Sequence, residues 1–391
     1  MRRQLLGLGF AAASSLLALH AAQAMTGPQP ITIDGGPLGS LSLSGGVDGY
    51  GYVVTPQPDN LQTTGMNVTN SIIELQKTTG ELQFTIEVGS SSTQSLGALS
   101  YDSSGHIANT TTNFFSTGPL YAGYITVAPP NSPVTVSAGM LNSLEGYESG
   151  FDWNNPSQFS TLMYYVENSQ ARGVQMNLTE GPLTAEVQFG DGYDTGVFNF
   201  LQALVSYSFN SSNVLSVFYG GNLGTTGLNT FGYGNITTGE YGAQFVNSQM
   251  VGAYYNYTNG NLNLVPEVQY QYAKENAKVG LFKSSSNIGA AVIGNYSFAN
   301  TPYSLGGFVE YFGSHSSAEN NSQTWAIGPN AQAVGFALSP TWQYKYLFAR
   351  ANAGYVYLLH NEDTAGNKYG YGGSGTGRNQ FTGTLEAGLL F

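Results

Sequence analysis

The sequence predicts an all-β protein, a transmembrane antiparallel up-and-down β-barrel of 16 strands, with 14 or 18 as the alternatives. Three observations carry that reading. Apolar and polar residues alternate with period two along most of the chain, as they do in strands with one apolar and one polar face. Charged residues make up 9% of the chain and aromatics 13%, against roughly 25% charged in a soluble domain. The 391 residues include no cysteine, so neither a disulfide framework nor thiolate chemistry is available.

Taken in order, the first 24 residues are a separate object. Arg2 and Arg3 form a positive start, Leu5 to Leu19 an apolar stretch, and Ala22-Gln23-Ala24 a small-residue cleavage site. This is the pattern of a secretory signal peptide. Cleavage after Ala24 leaves 391 − 24 = 367 residues. Residues 25–40 form a periplasmic N-terminal extension, and 41–391 form the barrel. Without an apolar run of about 18 residues, no helix after the signal can span a membrane.

Alternation begins at Leu41-Ser-Leu-Ser and is strict in Glu81-Leu-Gln-Phe-Thr-Ile-Glu-Val, where Leu82, Phe84, Ile86 and Val88 share one face. Pro182 to Phe189 and Asn261 to Tyr272 repeat it. Strands are expected at 41–54, 66–76, 81–89, 120–128, 133–140, 160–166, 171–179, 182–189, 197–209, 213–220, 240–257, 261–273, 287–298, 303–313, 331–344, 347–359 and 380–391. That is one more than the even number a bacterial barrel uses. Segment 160–166 is the first to discard, because Pro156 after Asn155 opens a short helix there as readily as a strand. Short turns such as Thr79-Gly80, Glu180-Gly181 and Asn259-Gly260 separate some strands. Longer stretches rich in Gly, Ser, Thr and Asn separate others (91–117, 141–158, 221–239, 314–328 and 361–379). A meander with two unlike ends follows.

A membrane is the expected solvent. Even the polar faces are mostly Ser, Thr, Asn and Gln. The apolar faces carry aromatic residues at strand ends: Tyr254, Tyr255 and Tyr257, Tyr270 and Tyr272, Trp342, Tyr344 and Tyr346, Tyr355 and Tyr357. Such rings sit at the lipid–water boundary. In lipid the sheet must close, because unpaired backbone groups cost several kcal/mol each. Phe381, Gly383, Leu385, Ala387, Leu389 and Phe391 alternate to the last residue. This ending resembles the C-terminal signal, carried by Phe391, that Gram-negative outer-membrane assembly machinery recognises.

The chain also resembles the OmpL-like β-barrel porin family. Leu41-Ser-Leu-Ser-Gly-Gly-Val-Asp-Gly-Tyr is similar to the family's first strand. Val136-Ser-Ala-Gly-Met-Leu-Asn-Ser-Leu-Glu-Gly-Tyr-Glu, followed by Asn154-Asn155, Ser160 and Gly173-Val174, carries the rest. Met140 departs from the pattern, since the family usually has a basic residue after that Gly. The resemblance implies an outer-membrane porin, a passive diffusion channel for small hydrophilic solutes. Its partners would be outer-membrane lipid, the assembly machinery and the solutes, with a homotrimer as one arrangement. An adhesin or receptor acting through its loops, and an outer-membrane enzyme, are the other two classes.

Charge sets what such a channel would prefer. Without Arg2 and Arg3 the basic residues fall from 11 to 9 against 23 acidic ones, a balance of −14, which excludes nucleic-acid binding through phosphate contacts. The polar faces place Asp48, Glu74, Glu81, Glu87, Glu186, Glu267, Glu310 and Glu386 toward the lumen, with only Lys345 and Arg350 opposing them. A net negative lumen favours cations. The loop after the fifth strand adds Glu145, Glu148 and Asp152, interleaved with Tyr147, Phe151 and Trp153. Folded inward, it would form a pore constriction; left outside, its acids would only be solvated. No catalytic site, metal or cofactor is expected. His106, His315 and His360 lie far apart, no Ser has a distinctive context, and the Gly-rich stretches 220–227 and 370–377 lack Gly-Lys-Ser/Thr.

Overall fold

Sixteen antiparallel strands follow one another around a closed sheet. Strand β1 (Ser40–Thr55) pairs with β2 (Thr64–Lys77) on one side and with the last strand, β16 (Asn379–Leu390), on the other. That second pairing sets Gly46 opposite Leu390 and Thr55 opposite Phe381, and it shuts the barrel. Beyond β16, Gly45 and Phe391 exchange two backbone hydrogen bonds of 2.9 Å. The computed structural model describes residues 25, 27–59, 61–101, 107–110, 119–227, 242–317, 319 and 325–391. The segment 1–24 expected to be a signal peptide, His106 and the start of the strand expected at 240–257 lie outside them.

Between the seam strands run β3 (Leu82–Ser91), β4 (Leu120–Val127), β5 (Val134–Asn142), β6 (Gln170–Glu180), β7 (Leu183–Asp191), β8 (Phe198–Asn210) and β9 (Asn213–Asn222). They are followed by β10 (Ser248–Asn259), β11 (Leu262–Ala273), β12 (Ser285–Ser297), β13 (Tyr303–His315), β14 (Ala331–Tyr344) and β15 (Leu347–Asn361). Side chains alternate as period two demands. On β7, Val187 and Phe189 are exposed while Glu186 and Gln188 are buried. Leu385 is 73% exposed and Val268 56%, so the outer surface is apolar over the height of the wall, as lipid requires.

The two ends differ as expected. Two-residue turns such as 181–182 and 260–261 close one end, with Gly181 at φ 57° and Gly260 at φ 58° supplying the left-handed backbone that tight hairpins need. Long connections (92–119, 143–169, 223–247, 316–330 and 362–378 among them) gather at the other end. A short strand, Ile31–Asp34, folds back on the start of β1.

The segment first to be discarded drops out of the wall, and two other expectations need correction. Segment 160–166 is not a wall strand. It carries a two-residue bridge, Phe159–Ser160 against Gln94–Ser95, and then the helix α1 (Leu162–Val166), capped by Thr161, whose hydroxyl accepts from the Tyr164 N–H at 3.2 Å. The strand expected from 240 starts at Ser248, after the helical turn α2 (Ala243–Val246). Tyr254 faces inward and packs on Tyr147, with ring centroids 5.5 Å apart. In the pair Tyr254-Tyr255 only one ring can face lipid, and it is Tyr255.

Candidate functional site

The site is built on the connection between β5 and β6, residues 143–169, which lies inside the barrel. Its first residues are pinned to β8: the Ser143 hydroxyl and the Leu144 N–H both donate to Gln202 Oε1, at 2.9 and 3.0 Å. From there it crosses the bore. The Leu162 N–H donates to Glu310 of β13 at 2.8 Å. Gln269 of β11 donates to the Met163 carbonyl at 3.1 Å, and the Ser339 hydroxyl of β14 bonds Ser157 at 2.9 Å. Gln158 reaches Thr69 of β2 and Asn352 of β15, at 3.0 and 3.2 Å, and also accepts from Thr384 of β16. The wall is shaped to receive it. A Cβ on Gly306 would stand 1.9 Å from the Pro156 carbonyl oxygen, so only glycine fits there.

Arg350 fastens the far end. Its guanidinium forms a bidentate pair with Glu386, at 2.8 and 3.2 Å. It also donates to the carbonyls of Asn155 and Asp152, at 2.9 and 3.2 Å, and lies 3.4 Å from the Asp152 carboxylate. Asn70 ties Asp152 to Asp48, donating to both carboxylates, with its backbone N–H 3.1 Å from Asp48 Oδ1. Carboxylate oxygens of Asp48, Asp152 and Glu386 come within 4.8 Å of one another. Arg350 supplies positive charge in the midst of the three carboxylates, so the cluster is partly compensated from within. Burial and the nearness of Asp48 and Glu386 push Asp152 well above the usual carboxylate range, with Arg350 pulling it down.

The near end is acidic without compensation. Glu145 accepts from the Asn168 N–H at 2.8 Å, which clasps the two ends of the loop together. Glu148 accepts from the Thr161 N–H at 3.1 Å and from its hydroxyl. Burial pushes Glu145 up to about 8 and Glu148 to about 7, against the pull of those hydrogen bonds. Glu167, which the sequence did not single out, is pushed well above the usual range by burial and then by Glu267, Glu145 and Glu148.

Of the wall residues expected to face the lumen, Asp48, Glu87, Glu186, Glu267, Glu310, Arg350 and Glu386 are buried on the inner side. Glu74 is half-buried and accepts from Ser44 at 2.9 Å. Glu81 and Lys345 are the corrections: both are exposed in turns at strand ends, Lys345 at φ 55° in the β14–β15 turn, where alternation has already stopped. His315 and His360 are exposed; His360 Nδ1 lies 2.7 Å from the Asn330 carbonyl. The long stretches rich in Gly, Ser, Thr and Asn contribute inward anchors. Leu96, Phe245, Trp325, Ile327 and Tyr371 are buried in one cluster with Phe159, Leu162 and Met163 of the inward loop. The Leu96 N–H donates to the Ser160 carbonyl at 3.0 Å, and Phe245 stacks edge-on with Trp325 at 5.0 Å.

A closed wall of sixteen strands, with one long connection laid across the bore, is a porin geometry. The family described as Putative beta-barrel porin-2, OmpL-like, matches residues 40–391. The chain belongs to that family. Solved structures agree on the fold of this porin at low sequence identity. The anion-selective porin from Comamonas acidovorans superposes with a TM-score of 0.59 at 11% identity, covering 90% of this chain and 99% of that one. OmpT, an outer membrane protein of Vibrio cholerae, gives 0.55 at 10% identity, covering 90% and 98%. Salmonella typhi OmpF in complex with daunomycin gives 0.53 at 12%, covering 92% and 100%. No curated protein matches the sequence. This porin is thus a transmembrane β-barrel channel protein of the outer membrane.

Proposed function

We propose that this porin passes small hydrophilic solutes by diffusion, prefers cations, and is constricted by the loop carrying Glu145, Glu148 and Asp152. The observation that carries the preference is the inner wall itself. Asp48, Glu74, Glu87, Glu186, Glu267, Glu310 and Glu386 face the bore, and Arg350 is already paired with Glu386. The likeness to an anion-selective porin does not weigh against this, because shared fold leaves lumen side chains free to differ and those set selectivity. Nothing in the mechanism requires a chemical step, so the protein acts as a channel and not as an enzyme. The inward packing of Leu96, Phe245 and Trp325 turns these side chains away from any partner outside the barrel, which disfavours the adhesin or receptor reading.

The deciding measurement is the reversal potential of the refolded protein across a KCl gradient. K⁺ selectivity at 0.1 M salt, where the Debye length is about 10 Å, should fade at 1 M. Selectivity for Cl⁻, or none at low salt, removes the proposal. Neutralising Glu145 and Glu148 together with Asp152, with both baths at pH 9, above the values of about 8 and 7 to which burial raises the two glutamates, apportions the effect between loop and wall. Export by cleavage after Ala24, and assembly through recognition of Phe391, belong to the same reading. Deleting Phe391 should lower the yield of heat-modifiable barrel more than replacing an interior Phe such as Phe348. A homotrimer, the form in which one OmpT structure is described, stays one arrangement for this barrel.

A further inference from the structure

Positive charge is unevenly placed on this acidic chain. Three of its six lysines, Lys274, Lys278 and Lys283, fall in one connection, residues 274–284 between β11 and β12, at the long-loop end. All three are exposed. Basic groups elsewhere are engaged locally: Arg350 by Glu386, Arg172 by Asp191, Lys368 by Glu362 and Arg378 by the Leu358 carbonyl. Here Lys283 lies 3.8 Å from Glu319, with both side chains more than half exposed, a kind of pair that contributes little. No ion pair reaches Lys274 or Lys278 among the described residues, although Glu275 stands between them in sequence. The connection is held in shape. Asn276 and Leu281 exchange backbone hydrogen bonds of 2.7 and 3.2 Å, and the Glu275 N–H donates to the Ser284 hydroxyl at 3.1 Å. Val279 and Leu281 are buried in the inward cluster, while Phe282 is 46% exposed. The wall leading up to it is apolar on its outer face: Val268, Tyr270 and Tyr272 on β11, with Ile288 of β12 opposite Tyr270. Along β11 the outward residues thus pass from an aliphatic side chain to two boundary tyrosines, and the lysines follow.

We propose that the 274–284 connection docks a phosphorylated lipid headgroup of the outer leaflet, its phosphates meeting Lys274, Lys278 and Lys283 and its acyl chains lying along Phe282, Tyr272 and Tyr270. Long connections of such barrels face the cell exterior, so the lysines stand at the level of that leaflet's headgroups. A lysine there keeps its stem along apolar surface and its ammonium in the polar layer, and anionic headgroups attract it. A soluble anion would use the lysines and leave Phe282 in water. A lipid uses both, and a loop already fixed in shape loses little freedom on receiving it. The site lies on the outer face of the wall, so it does not depend on which ions cross the bore.

The test is native mass spectrometry of the refolded barrel in a neutral detergent with EDTA, titrated with diphosphoryl lipid A. The same glycolipid without phosphates and inorganic pyrophosphate are the matched probes. Saturable binding of the diphosphorylated lipid is expected. It should weaken fivefold or more in Lys274→Gln/Lys278→Gln/Lys283→Gln and less than twofold in Lys345→Gln/Lys368→Gln, which removes lysines from two other turns. Phe282→Ser should weaken it as well. Wild-type affinity in the triple variant overturns the proposal, and so does an equal loss in the control variant, which would mean that only net charge matters. Equal binding of the phosphate-free lipid would remove the role of the lysines. Pyrophosphate bound as tightly as the lipid would make this a site for free phosphate and overturn the lipid assignment.

Discussion

The two ends of the inward loop handle negative charge in opposite ways. At residues 152–158 the acids Asp48, Asp152 and Glu386 surround one fully enclosed guanidinium, and Arg350 also holds two loop carbonyls. At residues 145–148 and 167, Glu145 and Glu167 are buried and Glu148 is half-buried, beside Glu267 and Glu310, and no ion pair reaches any of them among the described residues. The first end is held by a charge that does not titrate near neutral pH. The second is held by hydrogen bonds to acids that stay enclosed most easily when protonated. One loop therefore carries a permanent latch and a pH-sensitive one.

Breaking the permanent latch should have the largest effect. Arg350→Met removes the counter-charge and leaves three carboxylates facing one another in an enclosed site. Losing one partner of such a buried pair costs about 3–5 kcal/mol. The expected result is a loop released from β15 and β16. Single-channel conductance should rise, and the thermal midpoint of the heat-modifiable form should fall. A variant with wild-type conductance and midpoint would show that Arg350 does not hold the loop.

The other end should respond to proton concentration. Burial raises Glu145 to about 8 and Glu148 to about 7, above the ordinary carboxyl near 4.3. The folded state thus keeps protons that the unfolded chain has released, and stability falls wherever the folded state binds more of them. The stabilising contribution is fully present below about pH 4.3, and it is lost as pH rises through 7 and 8. The thermal midpoint should drop across that window and level off above it. Glu145→Gln/Glu148→Gln should flatten the dependence, leaving the residue due to Glu167. An unaltered slope in the double variant would place the titration elsewhere.

How much of this was legible in the sequence follows from the range of each signal. Alternation is local, so the strand faces could be read wherever the period ran unbroken, as from Leu82 to Val88 or Phe381 to Leu389. It failed at its own ends: Glu81 and Lys345 lie one residue beyond a strand, where the backbone turns and parity loses its meaning. It was ambiguous at Tyr254-Tyr255, where two like residues compete for one face. The acidic loop was visible as a composition, but its seat was not. Asp152 meets Arg350 198 positions away, and Gln158 meets Thr384 at 226. No local pattern records such partners. Nor does a stretch rich in Gly, Ser and Asn advertise that an apolar residue within it, Leu96 or Trp325, is buried against the inward loop.

The smallest effects should come from the glycines that give the loop room, and they should differ between its ends. At the latch end a Cβ on Gly306 would meet the Pro156 carbonyl oxygen at 1.9 Å and its carbon at 2.7 Å. Both are backbone atoms, and the segment around them is pinned by Ser157, Gln158 and Arg350. Neither can step aside alone, so Gly306→Ala should cost about 1–3 kcal/mol, as overpacking does. At the acidic end a Cβ on Gly220 would meet Glu145 Oε1 at 1.7 Å, a closer clash on paper. That oxygen has no hydrogen-bond partner and ends a flexible side chain, while the other oxygen of the same carboxylate keeps the Asn168 N–H. The carboxyl carbon would stand 2.6 Å from the Cβ, so the whole carboxyl group must swing aside; the end of a flexible side chain can do that, and Gly220→Ala should cost about 1 kcal/mol, the low end of the overpacking range. Thermal midpoints of the two variants at pH 5, where Glu145 is protonated in both, give the comparison without interference from titration. Equal losses, or a larger one for Gly220→Ala, would mean that the acidic end is the more rigidly seated of the two and that the contrast between the latches is drawn the wrong way round.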